Sequence, residues 1–296
     1  MDDLILFAIA GFCASFVDGA LGMGFGPTSS SILLSSGLAP QAASTAVNLA
    51  KIATGVAAAV SHWRFKNIDK KLVLRLAIPG CIGALAGVTI LSSVPASTLR
   101  PLLAVLLVVV GLRILFRFGL MTSSPASAER KESTEANPSF EVRGVEIAAA
   151  TGGMTNGLIG AWGPVVTPFL LHRGVPPRFS IGCVNTSEVA VAFVSAFTLV
   201  SSFGGAGLDY KVIAAMLLGG VVAAPIAAWV IRYVPARPMG IATAALLLLT
   251  NARELVTWGG LNGGRWAVYA AVITLIAMAV VAPRFFTVPA TRSQET

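Results

Sequence analysis

Two glycine-rich breaks interrupt apolar sequence and place groups that suit anion binding at matching points of the chain. The first break is Asp18–Pro27 (DGALGMGFGP) and the second is Thr155–Pro164 (TNGLIGAWGP), at an offset of 137 residues. The same offset relates Val47–Lys51 to Val184–Glu188, so the sequence indicates an internal duplication. Paired Gly/Pro-broken apolar segments in two halves are the best sequence pointer to the binding site of a transporter.

Each break predicts the N-terminus of a new helix inside the membrane. Pro27 and Pro164 suit a first helical turn, where free amides and the positive end of the helix dipole favour an anion. Such irregular backbone is tolerated at membrane depth only where it is buried in protein or lines a watery cavity. We therefore expect a site for a sulfonate, sulfite or carboxylate. The alternative is that Gly and Pro only permit close helix packing.

The candidate substrate-binding residues come from both breaks. In the first half they are Gly24, Phe25, Gly26, Pro27 and Thr28, and in the second half Asn156, Trp162, Gly163 and Pro164. Ser29, Thr155 and Thr167 are further candidate hydroxyl ligands. Phe25 and Trp162 occupy matching places, where they could form an apolar wall or gate, or simply pack.

Lys51 and Glu188 are equivalent charged residues deep inside apolar segments, where a charge costs about 2.5–3.5 kcal/mol or more. We expect Lys51 to attract the anion, and Glu188 to titrate or to pair with Lys51 when the site is empty. A purely structural ion pair and a snorkelling Lys51 are the alternatives. Helical spacing places polar or small residues on the same faces: Ser44, Asn48 and Gly55 with Lys51, and Asn185, Ala192 and Ser195 with Glu188.

Asp18 is the second candidate for proton coupling. Its equivalent is Thr155, so the duplication does not support a shared role. Capping of the following backbone turn is an equally good interpretation of this carboxylate.

The composition is that of a polytopic membrane protein. The chain has 296 residues, of which 55% are apolar and only 11% charged, and its mean hydropathy is +0.81. Soluble domains have about 25% charged residues. Seven stretches are long enough to cross about 30 Å of hydrocarbon; they lie near 41–61, 72–92, 99–118, 178–202, 210–232, 238–257 and 265–283.

The predicted fold is an all-α, inverted-topology repeat with about seven full transmembrane helices and two re-entrant or broken helical hairpins. In the first hairpin, segments 4–18 and 22–36 are each too short to span the membrane. The predicted domains are a first membrane repeat, a cytoplasmic linker, a second inverted repeat, and an extra helix with a cytoplasmic tail. Their bounds are 1–118, 119–142, 143–257 and 258–296.

Charge sets the expected topology. Residues 62–71 form the most basic short loop, which the positive-inside rule places in the cytoplasm. The matching loop, 201–210, has no basic residue, whereas Arg237 lies in a basic loop that matches the poorly charged 92–100. This reversal is what inverted repeats require, and it places the N-terminus outside and the C-terminus inside. The net charge of +8 thus indicates topology, and we expect no nucleic-acid partner.

Three glycines in the predicted span 72–92 are spaced for close helix contact. Gly80, Gly83 and Gly87 would lie on one helical face, either within the bundle or at a homodimer interface. Cys13, Cys81 and Cys183 lie in apolar segments without metal-ligand spacing, so we expect buried thiols and no metal site or cofactor.

The first break, followed by Gly37-Leu38-x-Pro40 and Thr45-Ala46-Val47-Asn48, resembles the TauE/SafE family of sulfite and organosulfonate exporters. The resemblance covers nearly the whole chain except the linker and tail. It implies a secondary carrier of sulfur-containing or related organic anions in the bacterial inner membrane, built from inverted repeats and driven by the proton gradient. A passive anion channel is the alternative. An intramembrane enzyme is disfavoured because no Ser/His pair, metal cluster or phosphate loop is present in the sequence.

Overall fold

The computed structural model describes residues 2–21, 25–122, 140–203, 210–230, 236–260, 264–281 and 286–287. This part of the chain is almost entirely helical. Its helices are α1 Asp2–Leu21, α2 Phe25–Ser35, α3 Pro40–Arg64, α4 Lys70–Ser93, α5 Ala96–Leu120, α6 Val145–Ile159, α7 Gly163–His172, α8 Pro177–Phe203, α9 Tyr210–Val230, α10 Ala236–Trp258 and α11 Arg265–Val281. A two-residue parallel pair joins β1 (Met121–Thr122) to β2 (Phe286–Thr287).

Four helices are long and apolar enough to cross a membrane within the described ranges: α3, α4, α8, and α5 over Ala96–Gly119. They coincide with four of the seven predicted spans. Helices α9 and α10 lie at two further predicted spans, and α11, with 17 residues, lies at the last. The total of seven crossings stays a prediction.

The first predicted half-helix is longer than expected. The sequence predicted a segment of about 15 residues over 4–18, but α1 has 20 residues, about 30 Å at the helical rise. Gly19 does not end the helix, because an isolated glycine costs an α-helix only about 1 kcal/mol. In the second half, α6 has 15 residues and α7 has 10 residues, so the pair is short as expected.

Long helices from the two halves pack on one another. Helix α3 packs on α8, α5 on α10, α4 on α6 and α1 on α9. The glycine face of α4 touches α6 so closely that a Cβ atom on Gly83 would lie 1.9 Å from the carbonyl oxygen of Ala150. Of the two interpretations of Gly80, Gly83 and Gly87, contact within the bundle is confirmed, and the same face is not available to a second copy.

The structure describes both ends of the predicted linker, 119–142. Helix α5 continues to Leu120, two residues into the predicted linker. At the other end, Asp69 caps α4, accepting from the amides of Lys71 (2.9 Å) and Leu72 (3.2 Å). Its second oxygen accepts from the amide of Phe140 at 2.8 Å, which fixes the end of the linker against the loop before α4. Residues 123–139 lie outside the described part.

Among the cysteines, Cys183 is buried, as expected, and Cys81 is half-buried. Cys13 is exposed, so the expectation of a buried thiol is wrong for that residue, whose side chain lies on the outer face of α1.

Candidate functional site

A buried ion pair joins α3 to α8. Lys51 on α3 is 6% exposed, and its ammonium group contacts the carboxylate of Glu188 on α8. The Lys51 Nζ also donates to the carbonyl oxygen of Gly160 at 2.6 Å and to the Oδ1 of Asn156 at 3.3 Å. The Lys51–Glu188 contact, which the sequence predicted either for a binding site or as a purely structural ion pair, is therefore present, and the ammonium charge is well compensated.

Polar residues next to the pair form a continuous hydrogen-bonded group. The Asn156 amide nitrogen donates to Asn48 Oδ1 at 2.7 Å and to Ser195 Oγ at 3.2 Å. The Asn48 amide nitrogen donates to the carbonyl oxygen of Ser44 at 2.9 Å. The Ser44 hydroxyl in turn donates to the carbonyl oxygen of Gly157 at 2.8 Å. The polar faces predicted on α3 and α8 thus meet at the C-terminal turn of α6.

The second break exposes a carbonyl group to Lys51. Gly160 ends α6 in the left-handed region, with φ of 69°, a conformation that glycine adopts without the steric cost of a Cβ atom. The Gly160 amide donates to the carbonyl oxygen of Asn156 at 2.7 Å and so ends the helix. The Thr155 hydroxyl donates to the carbonyl oxygen of Ala161 at 2.9 Å. The left-handed residue leaves the Gly160 carbonyl pointing at the ammonium group.

The first and second breaks are in direct contact. A Cβ atom on Gly26 would lie 1.7 Å from the carbonyl oxygen of Gly160, so the start of α2 rests on the end of α6. The Ser30 hydroxyl donates to the carbonyl oxygen of Ile159 at 2.8 Å and holds this contact. Two further candidates, Gly24 and the side chain of Asp18, lie outside the described residues.

Three candidate ligands carry hydroxyl groups without a hydrogen-bond partner in the described part of the chain. Thr28 and Ser29 on α2 and Thr167 on α7 are buried, and their side-chain oxygens have no hydrogen-bond partner within the described residues. Buried polar side chains are normally paired, so each exception needs an explanation. A bound polar solute or ordered water would supply one.

One residue of this kind was missed from the sequence. Ser15 on α1 is buried, and its hydroxyl has no partner within the same described ranges. It lies 2.6 Å from the position of a Cβ atom on Gly220 of α9. A single serine in an apolar helix gives no signal, because its exposure depends on the neighbouring helix.

The remaining candidates frame the second break less directly. Trp162 is fully buried, and its indole nitrogen donates to the carbonyl oxygen of Val184 at 3.1 Å. Phe25 is buried in a different apolar cluster from Trp162, so the two rings do not form one shared wall. Asn185 is half-buried on α8, and its role in binding stays a prediction.

Helix α7 starts at Gly163 and Pro164, as expected. Pro164 has no N–H group, and the Val165 amide donates to the carbonyl oxygen of Trp162 at 3.1 Å. The amides of Trp162 and Gly163 are therefore the donors that this helix end can offer to an anion.

Known proteins resemble the chain over nearly its full length. The family described as "Sulfite exporter TauE/SafE" matches residues 7–253. The "Probable membrane transporter protein YtnM" of Bacillus subtilis (strain 168) is 37% identical over 282 residues, which are 95% of this chain and 89% of that protein. No solved structure matches the chain. With apolar helices long enough to cross a bilayer and a family match over most of its length, this chain belongs to the TauE/SafE family of membrane transporters.

Proposed function

We propose that the protein is a secondary transporter that moves a small sulfur-containing or organic anion across the inner membrane by alternating access, coupled to protons. The anion would be sulfite, a sulfonate such as sulfoacetate, or a related carboxylate. The observation that carries the proposal is the buried Lys51–Glu188 pair against the broken end of α6. The buried hydroxyls on α2 and α7 that have no hydrogen-bond partner within the described residues support it, because they suit an oxyanion.

The architecture that we propose is the inverted repeat with seven crossings. Equivalent helices support it: α3 starts at Pro40 and α8 at Pro177, the separation that also relates Lys51 to Glu188. The helix contacts repeat in the same way. Helix α1 is equivalent to α6 and α9 to α4, and α1 packs on α9 as α6 packs on α4. In this arrangement the N-terminus lies outside and the C-terminus in the cytoplasm.

Coupling would follow from competition for Lys51. An entering anion binds the Lys51 ammonium group in place of the Glu188 carboxylate, and the released carboxylate takes up a proton from the same side. On the other side the anion and the proton leave, and the ion pair forms again. This exchange leaves no buried charge unpaired in the empty or the loaded state, and an unpaired buried charge would be strongly destabilising.

The test is anion uptake into proteoliposomes with an imposed pH gradient. We expect Lys51→Ala to abolish uptake, because the anion loses its cationic partner. Glu188→Gln should retain saturable anion binding but lose the response to the pH gradient. The matched control is Lys71→Ala, which removes an exposed lysine paired with Glu141 and should leave uptake unchanged.

Lys51→Ala leaves Glu188 buried without its lysine, which can cost about 3–5 kcal/mol. The double variant Lys51→Ala/Glu188→Ala removes both charges and checks that loss of transport is not loss of folding. Wild-type uptake in either variant would remove Lys51 from the site. Flux that does not saturate and ignores the pH gradient in the wild type would instead show a passive channel.

A further inference from the structure

The turn that ends α3 has an unusual residue in a strained backbone position. Lys66 has φ of 54° and is, among the described residues, the non-glycine residue with positive φ. Its amide donates to the carbonyl oxygen of Trp63 at 3.1 Å, and the Asn67 amide donates to that of His62 at 2.9 Å. This is the Schellman pattern, in which the left-handed residue is usually glycine.

The chain uses glycine in two other turns of the same kind. At the end of α2, Gly37 donates to Leu34 and Leu38 to Leu33, each at 3.1 Å. At the end of α7, the Gly174 amide donates to the carbonyl oxygen of Leu171 and the Val175 amide to that of Leu170, each at 3.1 Å. Both glycines have positive φ. Glycine closes these turns without strain, so the backbone geometry alone does not explain a lysine at position 66. Strained residues of this kind cluster at functional positions, which indicates a role for the Lys66 side chain.

Lys66 lies in a patch of exposed aromatic and basic residues, here called the 63–70 surface. Trp63 and Phe65 are 69% and 75% exposed. Arg64, Lys66 and Lys70 are exposed as well, and within the described ranges none of the three forms a salt bridge to a carboxylate. The next two basic residues do, since Lys71 pairs with Glu141 and Arg75 with Glu146.

The 63–70 surface must lie at a face of the bilayer. It joins α3 to α4, two helices that are long and apolar enough to cross a membrane, through residues 65–69 alone. Exposed aromatic rings at such a position sit at the level of the lipid headgroups. Uncompensated lysine and arginine side chains at that level attract anionic lipids.

We infer that the 63–70 surface binds the headgroup of an anionic phospholipid, with Lys66 held by its left-handed backbone where it meets the phosphate. Arg64 and Lys70 add to the attraction, and Trp63 and Phe65 contact the acyl boundary. This inference concerns a lipid site and does not depend on the identity of the transported anion.

The test uses the purified full-length protein titrated with phosphatidylglycerol or phosphatidylcholine, with the thermal midpoint as readout. Lys66→Gly removes the charge and suits the backbone, so the midpoint without added lipid should be unchanged or raised. We expect its apparent affinity for phosphatidylglycerol to fall about fivefold, the effect of one basic residue near an anionic surface. The triple variant Arg64→Gln/Lys66→Gly/Lys70→Gln should lose the preference for phosphatidylglycerol over phosphatidylcholine.

The matched control is Arg265→Gln, which removes a positive charge beside the exposed Trp266, over whose ring the guanidinium lies at 5.3 Å. It should keep the full preference for phosphatidylglycerol. Soluble glycerol 1-phosphate, added with phosphatidylcholine, should not raise the midpoint. The inference is overturned by an unchanged lipid preference in the triple variant, by an equal loss in Arg265→Gln, or by equal protection from glycerol 1-phosphate.

Discussion

At the scale of single residues, the four consecutive hydroxyls of α2 divide into two kinds. Ser30 bonds to the carbonyl oxygen of Ile159, and Ser31 is bonded to Thr250 and Asn251. Thr28 and Ser29 have no partner within the described chain, although both are buried. The first kind fixes the helix in place, and we propose that the second kind binds the transported anion.

This division predicts opposite effects of two similar substitutions. Thr28→Val should stabilise the anion-free protein by about 1 kcal/mol, because it removes a buried hydroxyl that has no partner among the described residues. It should also weaken anion binding. Ser30→Ala should destabilise the protein by about 1 kcal/mol, because it leaves the Ile159 carbonyl unpaired. Thermal unfolding with and without sulfite or sulfoacetate measures both, and a destabilised Thr28→Val with normal anion binding would contradict the proposed role.

At the scale of elements, the contact between α2 and α6 permits very little change. The atoms that would meet a Cβ on Gly26 are the backbone carbonyl atoms of Gly160, the nearest at 1.7 Å. A side chain can rotate away from such a clash, whereas a backbone group that also bonds Lys51 cannot. The position of the ion pair therefore depends on the absence of a side chain at residue 26.

We expect Gly26→Ala to destabilise the protein by about 3 kcal/mol or more, the upper range for inserting a methyl group into a packed site. It should also lower anion uptake, because α6 must move away from Lys51. The control is Gly264→Ala, since a Cβ atom there meets nothing within 4 Å. Chemical unfolding and proteoliposome uptake measure the two effects. Equal stability of the two variants would show that the contact is looser than described.

Sequence periodicity and turn residues predicted most helices but not all of their ends. The starts of α3 at Pro40 and of α8 at Pro177 match their predicted spans within a residue, because proline marks a first helical turn clearly. The end of α1 was predicted too early, because Gly19 breaks a helix only when packing does not hold it. The contact of the α4 glycines with α6 could not be chosen over a dimer contact, because both need the same small residues.

At the scale of the whole molecule, the site depends on residues brought together from both halves. The sequence predicted Lys51 and Glu188 as a pair because equal positions in a duplicated chain can face each other. It did not predict the bonds of Lys51 to Gly160 and Asn156, since these depend on the left-handed end of α6. Ser15 gave no sequence signal because a buried hydroxyl is recognised only once its neighbours are known.

The proposed inversion predicts that equivalent loops face opposite sides of the membrane. In a chain with its native cysteines replaced, Lys70→Cys should react with a membrane-impermeant thiol reagent only from the cytoplasmic side. Ser202→Cys, which is exposed at the end of α8, should react only from the outside. Labelling of intact and opened membranes distinguishes the two sides. Reaction of both cysteines from one side would exclude the inverted repeat.

The Lys51–Glu188 pair has a further consequence for energetics. The two charges sum to zero, and in the proposed exchange a bound monovalent anion replaces a carboxylate that becomes neutral. The pocket then holds the same net charge when loaded and when empty, so the reorientation step is electroneutral. Moving one elementary charge through a membrane potential of 100 mV changes its free energy by about 2.3 kcal/mol. Because the reorienting pocket carries no net charge, the potential would not affect this step. The chemical gradients of the anion and the proton alone would set the direction of transport.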